Sequence, residues 1–216
     1  MPSSQVSLAL FVPLIAKREK VDEVSAFLGA GYDLVQAEPD TIQWFGVKYA
    51  DHTPPTYAIF DTFRAESGRG AHLSGKVAEA LMANAGALLA AGPDIMSNNI
   101  LANKVVEGAK VGVGLRVLLT AKPEKVDEVR EFLTGALPLV EAEPGTLVWY
   151  AIEFPGTNKF GIVDFFADET GRNAHIGGKV AEALFANADA MLVSPPDLVK
   201  VDVVASSVKS VKEKRG

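Results

Sequence analysis

The chain has 216 residues, 48% of them apolar and 22% charged, with 21 lysines and arginines against 27 acids, a formal charge of −6 and no cysteine. An acidic balance without a basic stripe argues against nucleic acid as a partner, and the missing thiols exclude disulfides, thiolate nucleophiles and thiolate-bound metals. No stretch approaches the roughly 20 apolar residues of a membrane helix, and residues 1–12 lack the basic start of a signal peptide, so no membrane partner and a cytoplasmic location are expected.

Residues 6–15 are an apolar run that reads as a strand covered on both faces. Residues 17–38 show helical spacing through Val21, Val24, Phe27 and Leu28, with Gly29 and Gly31 as weak points and Pro39 as the stop. Residues 41–49 and 55–63 are aromatic and β-branched segments around a Pro-Pro loop, the signature of a hairpin. A long helix is predicted over 66–90, closed by Gly92 and Pro93, and a poorer strand over 95–106. After a link at 107–110 the order recurs: strand 111–120, helix 123–143, strands 146–154 and 159–166, helix 169–193, strand 198–205. Lys209, Lys212, Lys214 and Arg215 read as a solvated cationic end.

The recurrence is a duplication. AHLSGKVAEAL at 71–81 returns as AHIGGKVAEAL at 174–184, Glu38-Pro39 and Trp44 return as Glu143-Pro144 and Trp149, and Asp61 and His72 return as Asp164 and His175. A period above 100 residues means two domains of one fold rather than a solenoid; the expected domains are 1–107 and 111–208. The order βαββαβ in each is the ferredoxin-like arrangement, an α+β fold with one antiparallel sheet and its helices on one face. The strands are apolar on both faces, so the face without helices needs a cover. The other half supplies one if the two join in a barrel-like core.

The stretch EPGTLVWY (143–150), the strand GIVDFF (161–166) and the run DETGRNAHIGG (168–178) resemble the antibiotic biosynthesis monooxygenase family of the dimeric α/β-barrel superfamily, here in tandem. The resemblance covers both halves, the second more fully. It implies an intramolecular dimeric α/β-barrel, a pseudo-dimer within one chain that could pair again as a homodimer. It also implies O₂-dependent oxidation of an electron-rich aromatic such as a quinol or polyketide, often without cofactor, in a cavity between each sheet and its helices. In the haem-degrading branch of the superfamily the first strand carries an asparagine. Phe11 and Arg116 depart from that pattern, which disfavours haem degradation.

Cofactor-free oxygenation needs a base, donors for the substrate anion and a dry pocket. His72 and His175 suit the base, because histidine titrates near neutrality; equally, each could cap a helix or pack against the sheet. Asp61 and Asp164 interrupt apolar strands and need partners. Arg69 and Arg172, three residues before each histidine, are the expected ones, for catalysis or as plain ion pairs. Arg116 interrupts a strand where the first half has Phe11, and is grouped with His175, His72 and Asp164 as catalytic. Trp44, Trp149, Tyr150 and Asn173, with Asp61, Arg69 and Arg172, are the candidates to bind substrate, though each tryptophan also suits a core. Lys76 and Lys179 could attract an anion or be solvated. Arg116, Tyr150 and Asn173 stand where the first half has Phe11, Phe45 and Gly70, which favours the second half as the working site. The expected function is a cofactor-independent monooxygenase with a small aromatic and O₂ as partners and no metal. The alternatives are a non-catalytic small-molecule binder and a stress-response scaffold.

Overall fold

A computed structural model describes residues 6–209. Lys212, Lys214 and Arg215 of the cationic end, and residues 1–5 of the N-terminal segment, lie outside them. The strands are β1 (Leu8–Ile15), β2 (Gln43–Tyr49), β3 (Thr56–Phe63), β4 (Met96–Val105), β5 (Val113–Thr120), β6 (Val148–Glu153), β7 (Lys159–Phe166) and β8 (Asp197–Val208). Each falls where the sequence placed a strand. Their hydrogen-bonded order, β1-β3-β2-β8-β5-β7-β6-β4, closes into a barrel, so the expected tandem ferredoxin-like fold with an intramolecular barrel is what the chain adopts.

The helices depart from expectation at their interruptions. The first, α1, runs Val21–Gln36 after a 3-10 turn at Arg18–Lys20, and buries Val24, Leu28, Gly31 and Val35 as one stripe. Its counterpart is broken into α4 (Val126–Gly135) and α5 (Leu137–Glu141), because Pro138 has no N–H to continue the ladder. The helix predicted at 66–90 is two, α2 (Glu66–Leu73) and α3 (Lys76–Leu88), and the one predicted at 169–193 is α6 (Glu169–Ile176) and α7 (Lys179–Met191). The breaks fall at Gly75 and Gly178, whose backbones are extended (φ −88° in each).

By contact the chain forms two compact units. In the first, β3 pairs antiparallel with both β1 and β2, and the register sets Leu10 and Trp44 beside Asp61. One face of these strands packs on the helices through Leu10, Val12, Trp44 and Ile59 against Leu28, Val77 and Leu81. In the second, β7 pairs with β5 and β6, which sets Leu115 and Trp149 beside Asp164, and Val117, Trp149 and Ile162 pack with Leu133, Val180 and Leu184. Unit and sequence repeat part company at the last strand of each repeat. Residues from Asn98 belong by contact to the second unit, where β4 pairs with β6, and residues from Asp202 belong to the first.

Candidate functional site

Each unit gathers one histidine, one strand aspartate and one loop glutamate. Glu38 follows α1 directly, with its amide bonded to Val35 O at 3.1 Å, and Thr41 three residues on donates its hydroxyl to Glu38 Oε2 at 2.8 Å. Glu143 and Thr146 repeat this at 2.7 Å. The interrupted helices let the glutamate in. A Cβ on Gly75 would lie 2.7 Å from Glu38 Oε1, and one on Gly178 2.8 Å from Glu143 Oε1, so a side chain at either break would have to push the glutamate aside. Lysines hold the other side: Lys209 Nζ donates to the carbonyls of Val35 (2.8 Å) and Glu38, and Lys104 Nζ to those of Val140 (2.9 Å) and Glu143 (2.6 Å).

The histidine lies between the two acids. His72 Nδ1 is 2.6 Å from Glu38 Oε2 and its Nε2 3.1 Å from Asp61 Oδ2; His175 Nδ1 is 2.5 Å from Glu143 Oε2 and its Nε2 3.2 Å from Asp164 Oδ2. Each ring also rests on a phenylalanine, Phe63 or Phe166, with centroids 5.4 Å apart. The glutamate contacts are hydrogen bonds. The aspartate contacts are longer and have the length of ion pairs rather than of short hydrogen bonds.

The charges follow from burial and neighbours. Burial disfavours the imidazolium, but the aspartate and glutamate beside it outweigh that, raising His72 to about 10 and His175 to about 9. Both are therefore charged at neutral pH. Burial pushes Asp61 and Asp164 up, against the pull of the histidines. Burial also pushes Glu38 up, but the bonds from His72 and Thr41, with the Val77 amide at the start of α3, more than offset it and leave the carboxyl below its usual range.

In the second unit this cluster borders a small cavity of about 20 Å³, room for one water-sized body, between β5, β7 and the α6–α7 pair. Asp164 and His175 are its ionisable lining; Leu115, Val117 and Ile162 make an apolar floor, and Phe185 and Leu198 stand at the rim, 52% and 36% exposed.

The other residues singled out from sequence go elsewhere. Arg172, buried, turns to Glu169 and to the carbonyls of Gly114 (3.2 Å) and Val201 (3.0 Å), and Arg69 pairs with Glu66 at 2.6 Å. The expected arginine–aspartate pairs are replaced by histidine–aspartate pairs. Arg116 and Tyr150 both sit opposite Val163 in the ladder, on the face away from Asp164, and Arg116 donates to Asp197. The two-residue period of a strand thus separates them from the histidine cluster. Trp44 and Trp149, in contrast, share the aspartate's face. Asn173 and Lys179 are exposed, and Lys76 pairs with Glu79 in solvent. Among the described residues no group of three or more metal-ligating side chains is placed to hold an ion, and no helix is long and apolar enough to cross a membrane.

Sequence reasoning passed over Glu38, Glu143 and the threonines as site residues. The signal was present: Glu-Pro-Asp-Thr at 38–41 and Glu-Pro-Gly-Thr at 143–146 are duplicated along with the histidines.

No protein-family model matches the chain, and no curated protein does. Solved structures do. A protein from Fusobacterium nucleatum provisionally named a monooxygenase is similar with a TM-score of 0.84 at 14% identity, over 95% of each chain. An anthrone oxidase-like protein is similar with a TM-score of 0.63 at 12% identity, over 99% of this chain and 97% of that one. A ferredoxin-fold protein from Listeria monocytogenes, related to antibiotic biosynthesis monooxygenases, matches 92% of this chain and 95% of its own at TM-score 0.56 and 9% identity. The chain has the monooxygenase-like, tandem ferredoxin-like fold of these proteins.

Proposed function

We propose that the chain oxidises an electron-rich aromatic, a quinol or a compound with an activated ring methylene, using O₂ and no bound cofactor, at the Asp164–His175 cavity of the second unit. The observation that carries this reading is a fully buried carboxyl group, 3.2 Å from a histidine cation and bordering an apolar cavity. Burial raises the proton affinity of Asp164, which makes it a stronger base than a solvated carboxylate. The roles expected from sequence accordingly change. His175, charged below about pH 9, is a poor base but a fixed cation for a substrate anion, and Asp164 takes the proton. The anion then passes an electron to O₂, the two radicals combine, and loss of water leaves a ring ketone. For a methylene the balance is R₂CH₂ + O₂ → R₂C=O + H₂O.

A substrate of that class also agrees with the likeness to an anthrone oxidase-like protein. At about 20 Å³ the cavity admits a ring only once Phe185 and Leu198, both partly exposed at its rim, swing outward. The test is oxygen uptake by metal-stripped protein with a panel of hydroquinones and anthrones. Asp164→Asn should lower turnover on the order of a hundredfold, and Phe185→Ala should raise kcat/KM for the larger substrates. Turnover that returns only on adding metal or flavin would exclude the cofactor-free reaction.

A second reading has its own observation. Both ring nitrogens of His175 are engaged by acids, as are those of His72, which suits a structural clip in a chain that binds without turnover. On that reading Asp164→Asn changes the melting temperature, and the panel draws no oxygen.

A further inference from the structure

The cavity beside Asp164 and His175 is far smaller than the ring compound to be oxidised, and its wall suits a different guest. Leu115, Val117, Ile162, Val180 and Leu184, each at most 4% exposed, make that wall, and the polar side chains of the lining are Asp164 and His175. Those two lie 3.2 Å apart, and His175 Nδ1 is already bonded to Glu143. A water molecule there would need about two to four polar partners, and the aliphatic wall offers none. An empty space, however, costs its wall the contacts forfeited on that side, so a guest without a dipole is favoured. Dry apolar cavities take up such bodies, xenon among them.

We propose that this cavity is the O₂ subsite of the second unit, holding the gas against the aliphatic wall beside His175 while the aromatic takes the space that Phe185 and Leu198 vacate at the rim. O₂ is two atoms long, uncharged and without a dipole, which matches about 20 Å³ of apolar space. What the bound gas is for rests on the oxygenase reading. In that reaction the substrate anion gives up one electron and becomes a radical, and O₂ accepts it and becomes superoxide. The new negative charge forms beside the His175 imidazolium, among buried side chains that exclude water, where a fixed cation stabilises it most. One cation thus serves both charges in turn, the substrate's and then that of the reduced gas. The two radicals join through a C–O bond, and the proton held by Asp164 passes to the outer oxygen before water leaves.

The test reads O₂ itself, which is paramagnetic and speeds the relaxation of the methyl groups it touches. The full chain, with ¹³C-labelled isoleucine, leucine and valine methyls, is compared under pressurised O₂ and under N₂ with no aromatic present. The O₂-dependent relaxation of the Val117 and Ile162 methyls should be several times that of Val140, which is just as buried in the same unit but is not part of the cavity wall. Val117→Ile places one more methyl group in the cavity. It should abolish the excess at Ile162 and, in turnover, raise KM for O₂ on the order of tenfold and by more than KM for the aromatic. If Val117→Ile does not fold, Val180→Ile fills the cavity from the helix side. Relaxation at Val117 and Ile162 no faster than at Val140, or an excess undiminished in a folded filled variant, would overturn the proposal. An excess in a protein that turns over no substrate upholds the gas site and sinks the oxygenase reading; turnover without the excess does the reverse.

Discussion

Glu143 shares with Asp164, the larger influence, the work of holding His175 in its charged form. It contributes the 2.5 Å bond and is itself fixed by Thr146, whereas Asp164 makes the looser 3.2 Å contact. Glu143→Ala should bring the His175 pKa down from about 9 toward 6.5, followed by NMR titration, and destabilise the fold by about 3 kcal/mol. An unmoved pKa would show that the aspartate suffices. The clusters also set the response to alkali. Folded-state values of about 10 for His72 and about 9 for His175 lie above the unfolded 6.5. Their stabilisation is therefore complete below pH 6.5 and is lost as pH rises through 9 to 10. The melting temperature should fall between pH 8 and pH 10.5 by an amount equivalent to about 2 kcal/mol per histidine, and His72→Gln with His175→Gln should flatten that slope. Asp61 and Asp164, pushed up by burial, act in the same direction. At this scale the aspartates were legible because charge inside apolar strands stands out, and the histidines because the helix segment that carries them is written twice. Glu143 was not, because a glutamate before Pro144 reads as an ordinary helix end until its distance to His175 is known.

Two glycines and two lysines decide how the helices end. Gly178→Ala would set a methyl group 2.8 Å from Glu143 Oε1 and 3.1 Å from His175 O, and should cost about 2 kcal/mol while loosening the histidine. Denaturant unfolding checks the first effect and the NMR titration of His175 the second. Lys104 and Lys209 cap equivalent carbonyls from non-equivalent places. Val106 donates its amide to Leu147 O, Lys209 donates its amide to Ile42 O, and 147 − 42 = 105, the repeat spacing. Lys209 thus stands in the ladder where Val106 does, not where Lys104 does. The same cap met from two positions marks those carbonyls as in need of a cation. Lys104→Met should lower stability by about 1 kcal/mol and speed amide exchange in α5. Strands and helices were readable from periodicity because their burial is periodic. The breaks were not, since a glycine within a helical pattern is tolerated as often as it interrupts.

Duplication was visible in the sequence, but the assignment of strands to units was not, because pairing partners leave no mark on hydrophobic pattern. Cutting the chain after residue 107 would strip β4 from β6 and leave the first unit without the residues from Asp202 on. Fragments 1–107 and 108–216 should each aggregate when expressed alone and become soluble when expressed together. A monomeric, soluble 1–107 fragment would refute this. One consequence of the strand register reaches into optics. Trp44 lies directly across from Asp61, and Trp149 from Asp164, a cross-strand spacing of about 5 Å between Cβ atoms. Each unit therefore places its single tryptophan beside its own buried cluster. Discharging an imidazolium alters the field across the neighbouring indole, and emission wavelength during an alkaline titration becomes a label-free record of each cluster, separable with Trp44→Phe and Trp149→Phe.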